Sequence, residues 1–212
     1  LLSELMAEAL EIGYCARAGE VDVRLTASGE GGVERIAQAE AIIREKLGPR
    51  IYGVDDEQLE EILVLQLTAS GQTLAVAESC TGGLLAHRLT NVPGASTVFL
   101  AGHCTYSNAA KQTTLGVQAE TLAEHGAVSE AIARQMAEGA RAVHGADYAL
   151  ATTGIAGPGG GTAEKLVGTV FIACATAEGT DVVNACFATD RVTFKQLVVQ
   201  QAMNELRLKI CK

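Results

Sequence analysis

From Leu1 to about Gly13 the apolar positions Leu2, Leu5 and Ala9 recur at helical spacing against Glu4 and Glu8, which predicts a short amphipathic helix. The period then changes. Val21, Val23 and Leu25 alternate with Asp22, Arg24 and Thr26, the pattern of a strand with one buried face. Ile36, Ile43 and Leu47 lie along one stripe of a helix from Val33 to Leu47, stopped by Gly48-Pro49, and a short strand is expected at Arg50-Ile51-Tyr52. Strand, helix and strand make a small α+β module over residues 1–53.

A longer unit, residues 54–212, follows. Asp55 is placed to cap a helix with Gln58 three residues on; Leu59, Ile62 and Leu63 form its apolar face, and Gly71 ends it. Thr73-Leu74-Ala75-Val76-Ala77 is a short apolar run suited to a central strand, and it leads through Ser79 to Gly83 into another helical stretch. Further strands are predicted at Thr97–Tyr106, Tyr148–Thr153, Val167–Thr176 and Asp181–Ala188, with helices at Ser129–Val143 and Val192–Ile210. Ala177-Glu178-Gly179-Thr180 reads as a hairpin turn, so the last two strands run antiparallel. The fold class is α/β: a three-layer αβα sandwich with a mixed sheet of about five strands.

Composition narrows the function. The formal charge of −9 over 212 residues repels phosphate backbones and anionic lipid, which argues against nucleic acid or membrane as the main partner, so any phosphate must be caught locally. No apolar run approaches a membrane span, and no basic start leads into a signal peptide, so a soluble cytoplasmic protein is expected. The six cysteines lack CxxC pairs or clustering with the four histidines, which predicts free thiols and no metal site. A start at Leu1 and not Met suggests a fragment or a processed product.

Ser79 follows an apolar strand and precedes a helix, which puts its hydroxyl at the carboxyl end of a sheet, where ligands bind. Thr81, Gly82 and Gly83 bring backbone amides close enough to meet an oxyanion or a phosphate. The plainer reading is a serine helix cap with a glycine turn. A nucleophilic serine needs a base, and His87, His103, His125 and His144 sit in no comparable polar turn. Lys111, after the second strand of this unit, is the better candidate, because serine–lysine pairs do the same work once burial or a nearby cation lowers the amine's proton affinity. Its alternative is a solvated helix lysine. The segment from Thr152 to Thr162, with Thr153, Gly154, Gly157 and Gly159, has a glycine density that reads as a ligand loop, with a mobile lid or a plain flexible loop as the alternative, and it lacks the lysine of a nucleotide P-loop. Arg191 after the last strand is either a phosphate fork or an exposed helix start.

Together, Ala77-Glu78-Ser79-Cys80-Thr81-Gly82-Gly83, Thr105-Tyr106-Ser107-Asn108 with Lys111, His125-Gly126-Ala127-Val128-Ser129, Gly154 through Thr162 and Asp190-Arg191 resemble the CinA C-terminal domain, a family that includes nicotinamide mononucleotide deamidases. The resemblance covers about Asp55 to the C-terminus. The preceding segment looks like the KH-type linker module of full-length CinA, before which a molybdopterin-binding-like domain normally stands. What this implies is a cytoplasmic serine amidohydrolase, an expected homodimer in pyridine nucleotide salvage, with Ser79 as nucleophile, Lys111 as base, Tyr106 as a helper near the dyad, Thr153 beside the substrate and no cofactor. The family's usual glutamate before Ala-Lys is Ala109 here, and its usual proline after Glu-Lys is Leu166. The glycine loop and Arg191 are then the expected holders of the ribose phosphate.

Two rivals stand beside this reading. Cys80 is intrinsically the better nucleophile, which offers a thiol enzyme. A non-catalytic nucleotide-binding or regulatory module linked to competence or DNA damage is the other; here Gly29-Glu30-Gly31-Gly32 superficially matches the nucleic-acid clamp of KH modules, but Glu30 repels phosphate.

Overall fold

The computed structural model of the chain describes residues 10–210. Two compact units meet in sequence between Val54 and Asp55. In the first, strands β1 (Leu10–Arg17) and β2 (Glu20–Ala27) form an antiparallel hairpin around Gly19, followed by helix α1 (Gly32–Leu47). The order is therefore strand, strand, helix, and two expectations are corrected. Leu10 to Gly13 pair with Ala27 to Arg24 across the hairpin and are not helical, while positions 1–9 of the expected helix lie outside the described residues. Arg50 closes a 3₁₀ turn begun at Gly48-Pro49, so no strand forms at Arg50-Ile51-Tyr52. Proline fixes its own φ and lacks an N–H, which suits a turn better than a ladder. The segment Gly29-Glu30-Gly31-Gly32 is the turn into α1, with Gly29 and Gly31 both at positive φ.

The second unit starts with helix α2 (Leu59–Ser70), which buries Leu59, Leu63, Val64 and Leu67. Its N-cap is Gln58, whose amide donates to Glu61 Oε2 at 3.1 Å, and not Asp55, which sits at φ 52 in the turn before it. Strand β3 (Leu74–Glu78) is buried at every position, as a central parallel strand covered on both faces must be. Helix α3 (Leu84–Thr90), strand β4 (Phe99–Cys104), helices α4 (Asn108–Leu115), α5 (Ala119–His125) and α6 (Glu130–His144), strands β5 (Tyr148–Gly154), β6 (Thr169–Ala175) and β7 (Thr180–Cys186), and helix α7 (Arg191–Ile210) complete it. The sheet order is β4-β3-β5-β6-β7. The first three strands are parallel; β6 and β7 join antiparallel, through the turn at Ala177–Thr180. This is the α/β fold with a mixed sheet of five strands that the sequence pattern predicts.

Alternation along the strands builds two cores. Ala75, Ala77, Ala149, Ala151, Ala173 and Ala175 face Ile132, Ala133, Met136, Ala137 and Ala140 of α6. Small residues on both sides let the helix lie close to the sheet. Leu74, Val76, Leu150 and Ile172 alternate with those alanines and are equally buried, on the side where α7 packs against β5, β6, α2 and α3. Among the described residues no helix is long and apolar enough to cross a membrane.

Candidate active site

Parallel pairing sets the site. Glu78 lies opposite both Cys104 and Thr152, so β3, β4 and β5 end together, and the chain leaves all three strands on one edge of the sheet. The pairing runs one residue further on each side: Ser79 N–H donates to Thr152 O at 2.9 Å, and Thr105 N–H donates to Glu78 O at 2.9 Å. Ser79 is thus held at the backbone by its neighbour strand while its side chain stays half-buried and reachable.

Lys111 comes to this edge from α4. The helix is opened by Ser107, whose Oγ accepts from Ala110 N–H at 3.1 Å, and closed by Gly116 at φ 70. That start turns Lys111 inward, and only 1% of it is exposed. Its Nζ lies 3.0 Å from Ser79 Oγ and donates to Thr105 O at 2.8 Å. Burial, the largest influence, disfavours the ammonium form and pulls the lysine's pKa below its ordinary value against smaller opposing contributions from Cys80 and Cys104, and no carboxylate among the described residues neighbours it. A solvated helix lysine is excluded by this burial.

The buried carboxylate on this edge is Glu78, which is 1% exposed and spent elsewhere. Its Oε2 accepts from Gly83 N–H (2.9 Å) and Leu85 N–H (3.1 Å), and its Oε1 accepts from Ala86 N–H (2.8 Å). Sequence reading passed over Glu78, although it stands directly before Ser79. Gly83, read as an amide donor for a ligand, gives its N–H to this carboxylate. The amides of Cys80, Thr81 and Gly82 have no acceptor among the described residues. Gly82 and Gly83 adopt φ 63 and φ 96, so glycine permits this turn where a side chain would be strained.

Cys80 next to Ser79 is buried, and burial pushes its thiol up to about 12. Such a thiol gives almost no thiolate near neutrality, which removes the thiol-enzyme reading. No histidine reaches Ser79 either. His103 and His144 stack with their Nε2 atoms 2.6 Å apart, His87 lies against Asn91, and His125 against Glu124.

The remaining candidates fall into two groups. Thr81 Oγ1 and Thr152 Oγ1 are 2.7 Å apart, and Thr153 Oγ1 donates to Ala127 O at 2.7 Å; all three threonines are buried and lock the turn to its neighbours. Thr105 Oγ1, also buried, has no partner among the described residues. The second group is a bridge. Arg191 donates to Gly157 O at 2.8 Å and to Tyr106 Oη at 2.7 Å, joining the last strand's exit, the glycine loop and the segment before α4. Tyr106 itself is 61% exposed, at the rim.

Glycine spacing in the loop has more than one cause. A side chain at Gly154 would meet Thr169 O at 2.7 Å, and one at Gly157 would meet Val167 at 2.6 Å, so these two are needed for the loop's own packing; Gly159 is exposed with open space around it. Lys195, on α7 one turn beyond Arg191, was not singled out in the sequence. A methyl group added at Gly82 would lie 3.5 Å from its Nζ.

Comparison with known proteins gives the family. The sequence model of the CinA C-terminal domain matches residues 56–210. A CinA-like protein of Anaeromyxobacter sp. (strain K) is 44% identical over 201 residues, 95% of this chain and 49% of that protein. The crystal structure of a CinA superfamily protein from Klebsiella pneumoniae superposes with a TM-score of 0.70 at 37% identity, covering 72% of this chain and 96% of the other. That of the competence/damage inducible protein CihA from Agrobacterium tumefaciens gives 0.69 at 40% identity, covering 76% and 99%. The chain spans about half the length of the curated relatives it matches. With the family's sequence model matched along almost the whole second unit, the chain belongs to the CinA C-terminal domain family.

Proposed function

We propose that this chain is a serine amidohydrolase that converts nicotinamide mononucleotide to nicotinate mononucleotide and ammonia, with Ser79 and Lys111 as the reacting pair. The observation that carries the reading is Lys111 Nζ at 3.0 Å from Ser79 Oγ, in a buried setting with no carboxylate partner. An amine whose charged form is disfavoured keeps a lone pair with which to accept the serine proton.

In the first half-reaction Ser79 Oγ attacks the carboxamide carbon while its proton passes to Lys111. Negative charge gathers on the carboxamide oxygen, and the unengaged amides of Cys80, Thr81 and Gly82 are the donors nearest to the nucleophile in sequence. The C–N bond then breaks, Lys111 returns the proton to nitrogen, and ammonia leaves an ester on Ser79. Water attacks that ester in the second half-reaction, Lys111 again taking the proton and returning it to Ser79 Oγ, and the acid is released. Tyr106 and Arg191, bonded to each other at the rim, help shape the entrance.

The test is ammonia release from nicotinamide mononucleotide by the chain and by Ser79→Ala and Lys111→Ala, each checked for folding by circular dichroism. Activity in the parent and a loss of at least about a thousandfold in both variants is expected, because members of a catalytic unit fail together. Two active variants, or a parent inert on every pyridine nucleotide offered, overturn the proposal.

A further inference from the structure

Arg191 was the expected phosphate holder, yet its guanidinium is already engaged by Gly157 O and Tyr106 Oη. The next cation along that helix is Lys195, four residues on and therefore on the same face of α7. Its side chain is half-buried, and its ammonium lies close enough to Gly82 that a methyl there would stand 3.5 Å from it. Gly82 is exposed and follows Ser79 by three residues, so this charge stands over the turn that carries the nucleophile. The other described lysines of this unit are occupied: Lys111 by Thr105 O and Ser79, Lys165 by His125 O, which it meets at 2.7 Å, and Lys209 by Asp181. Lys195 has neither ion pair nor hydrogen bond among the described residues.

An ammonium without a partner, held over this turn, is free to pair with an anion. It also answers the problem set by the formal charge of −9, which makes the average surface repel a phosphorylated substrate. We propose that Lys195 is the anion-binding residue of this site and takes the substrate's phosphate, with Arg191 holding the loop and rim in place beside it. This rests on the reading of the site as one that acts on a pyridine mononucleotide.

Lys195→Gln and Lys195→Arg in the full chain test it, with nicotinamide mononucleotide and nicotinamide riboside, which lacks the phosphate, as paired substrates. A hydrogen bond to a charged group accounts for about a 10- to 100-fold preference, so Lys195→Gln is expected to raise KM for the mononucleotide and lower the mononucleotide-to-riboside ratio of kcat/KM by that factor. Lys195→Arg restores most of it. Equal losses on both substrates, or no change in the ratio, overturn the assignment. Calorimetric titration with inorganic phosphate separates this proposal from the reaction it rests on. Binding by the parent chain that is lost in Lys195→Gln supports the anion site even if no pyridine nucleotide is hydrolysed; absence of that difference overturns it.

Discussion

Replacing Glu78 tests how the turn that carries Ser79 is held. Its two carboxylate oxygens accept three backbone amides, from Gly83, Leu85 and Ala86, at 2.8–3.1 Å. Glutamine is nearly isosteric but has one acceptor oxygen. Placed where Oε2 lies, that oxygen keeps Gly83 and Leu85, and the new NH₂ faces Ala86 N–H, donor against donor. One bond to a charged group is lost, at a cost of about 2–3 kcal/mol. Alanine orphans all three amides, of which Leu85 is fully buried and the other two are partly open to water, so the cost rises to about 3–5 kcal/mol. Against a typical total of about 5–15 kcal/mol, the alanine variant sits near the edge of folding. Urea unfolding followed by circular dichroism reads both changes as a fall in midpoint at constant slope; on heating, Glu78→Gln should melt about 4–12 °C lower. Hydrogen exchange at Ala86 should accelerate in both variants. Unfolding free energies within about 0.5 kcal/mol of the parent in both would refute the claim that this carboxylate holds the turn.

Four further outcomes follow from the site. Lys111→Met should remove a pH dependence of stability: because burial lowers the folded pKa, the unfolded chain binds the extra proton between that lowered value and the ordinary one, so the parent gains stability as pH rises through this window and the variant does not. Parallel pH slopes of unfolding free energy in the two proteins would sink this. Cys80→Ala should keep ammonia release within about threefold, and brief iodoacetamide treatment of the native protein near neutral pH should label the exposed Cys15, Cys104 and Cys186 but not Cys80, read by mass spectrometry. Thr105→Val removes a buried hydroxyl without a partner and should stabilise the fold by about 1 kcal/mol, seen as a higher urea midpoint; a lower one would mean that the hydroxyl is bonded. Tyr106→Phe deletes one hydrogen bond to Arg191 at an exposed rim and should change stability by less than about 1 kcal/mol while raising KM; an unchanged KM argues against a part for this bridge in the entrance.

Legibility in the sequence followed the range of the interaction. The strands of the second unit were readable because burial on both faces demands continuous apolar runs, as at Leu74–Ala77, and the antiparallel end was readable from Gly179 in its turn. The second strand of the first hairpin is legible in the alternation over residues 21–26, but its first strand is not, because Leu10, Ile12 and Tyr14 form too short a run to separate a period of two from one of three or four. Hydrophobic periodicity does not mark helices α4 and α5, although Ser107 and Gly116 are cap signals of the ordinary kind. The expected capping by Asp55 failed because another acceptor, Glu61, met the first free amide.

The site residues divide along the same line. Ser79 and Lys111 were proposed from their places after two strands, but no sequence feature marks Lys111 as 1% exposed; that follows from parallel pairing, which brings the ends of β3 and β4 together. Lys195 approaches Gly82 across the packing of α7 on α3, and no spacing along the chain encodes that approach.

The pairing of charges explains how Glu78 and Lys111, which flank Ser79 from its own strand and from α4, do separate work. Had the carboxylate met the ammonium, the attraction would have favoured the charged lysine and removed its lone pair. Instead Glu78 is taken up by three amides of the next helix, and Lys111 meets only a carbonyl and a hydroxyl, both neutral. Burial is then the largest influence on the lysine and lowers its proton affinity, against smaller opposing contributions from Cys80 and Cys104. The same three bonds decide which amides remain for a ligand. Gly83, Leu85 and Ala86 are committed, so a negative charge developing beside Ser79 has Cys80, Thr81 and Gly82 left to meet it. On this account one carboxylate fixes the turn, withholds its charge from the lysine and defines the donor set, so Glu78→Asp, which shortens the reach by one methylene, should impair catalysis more than it impairs folding.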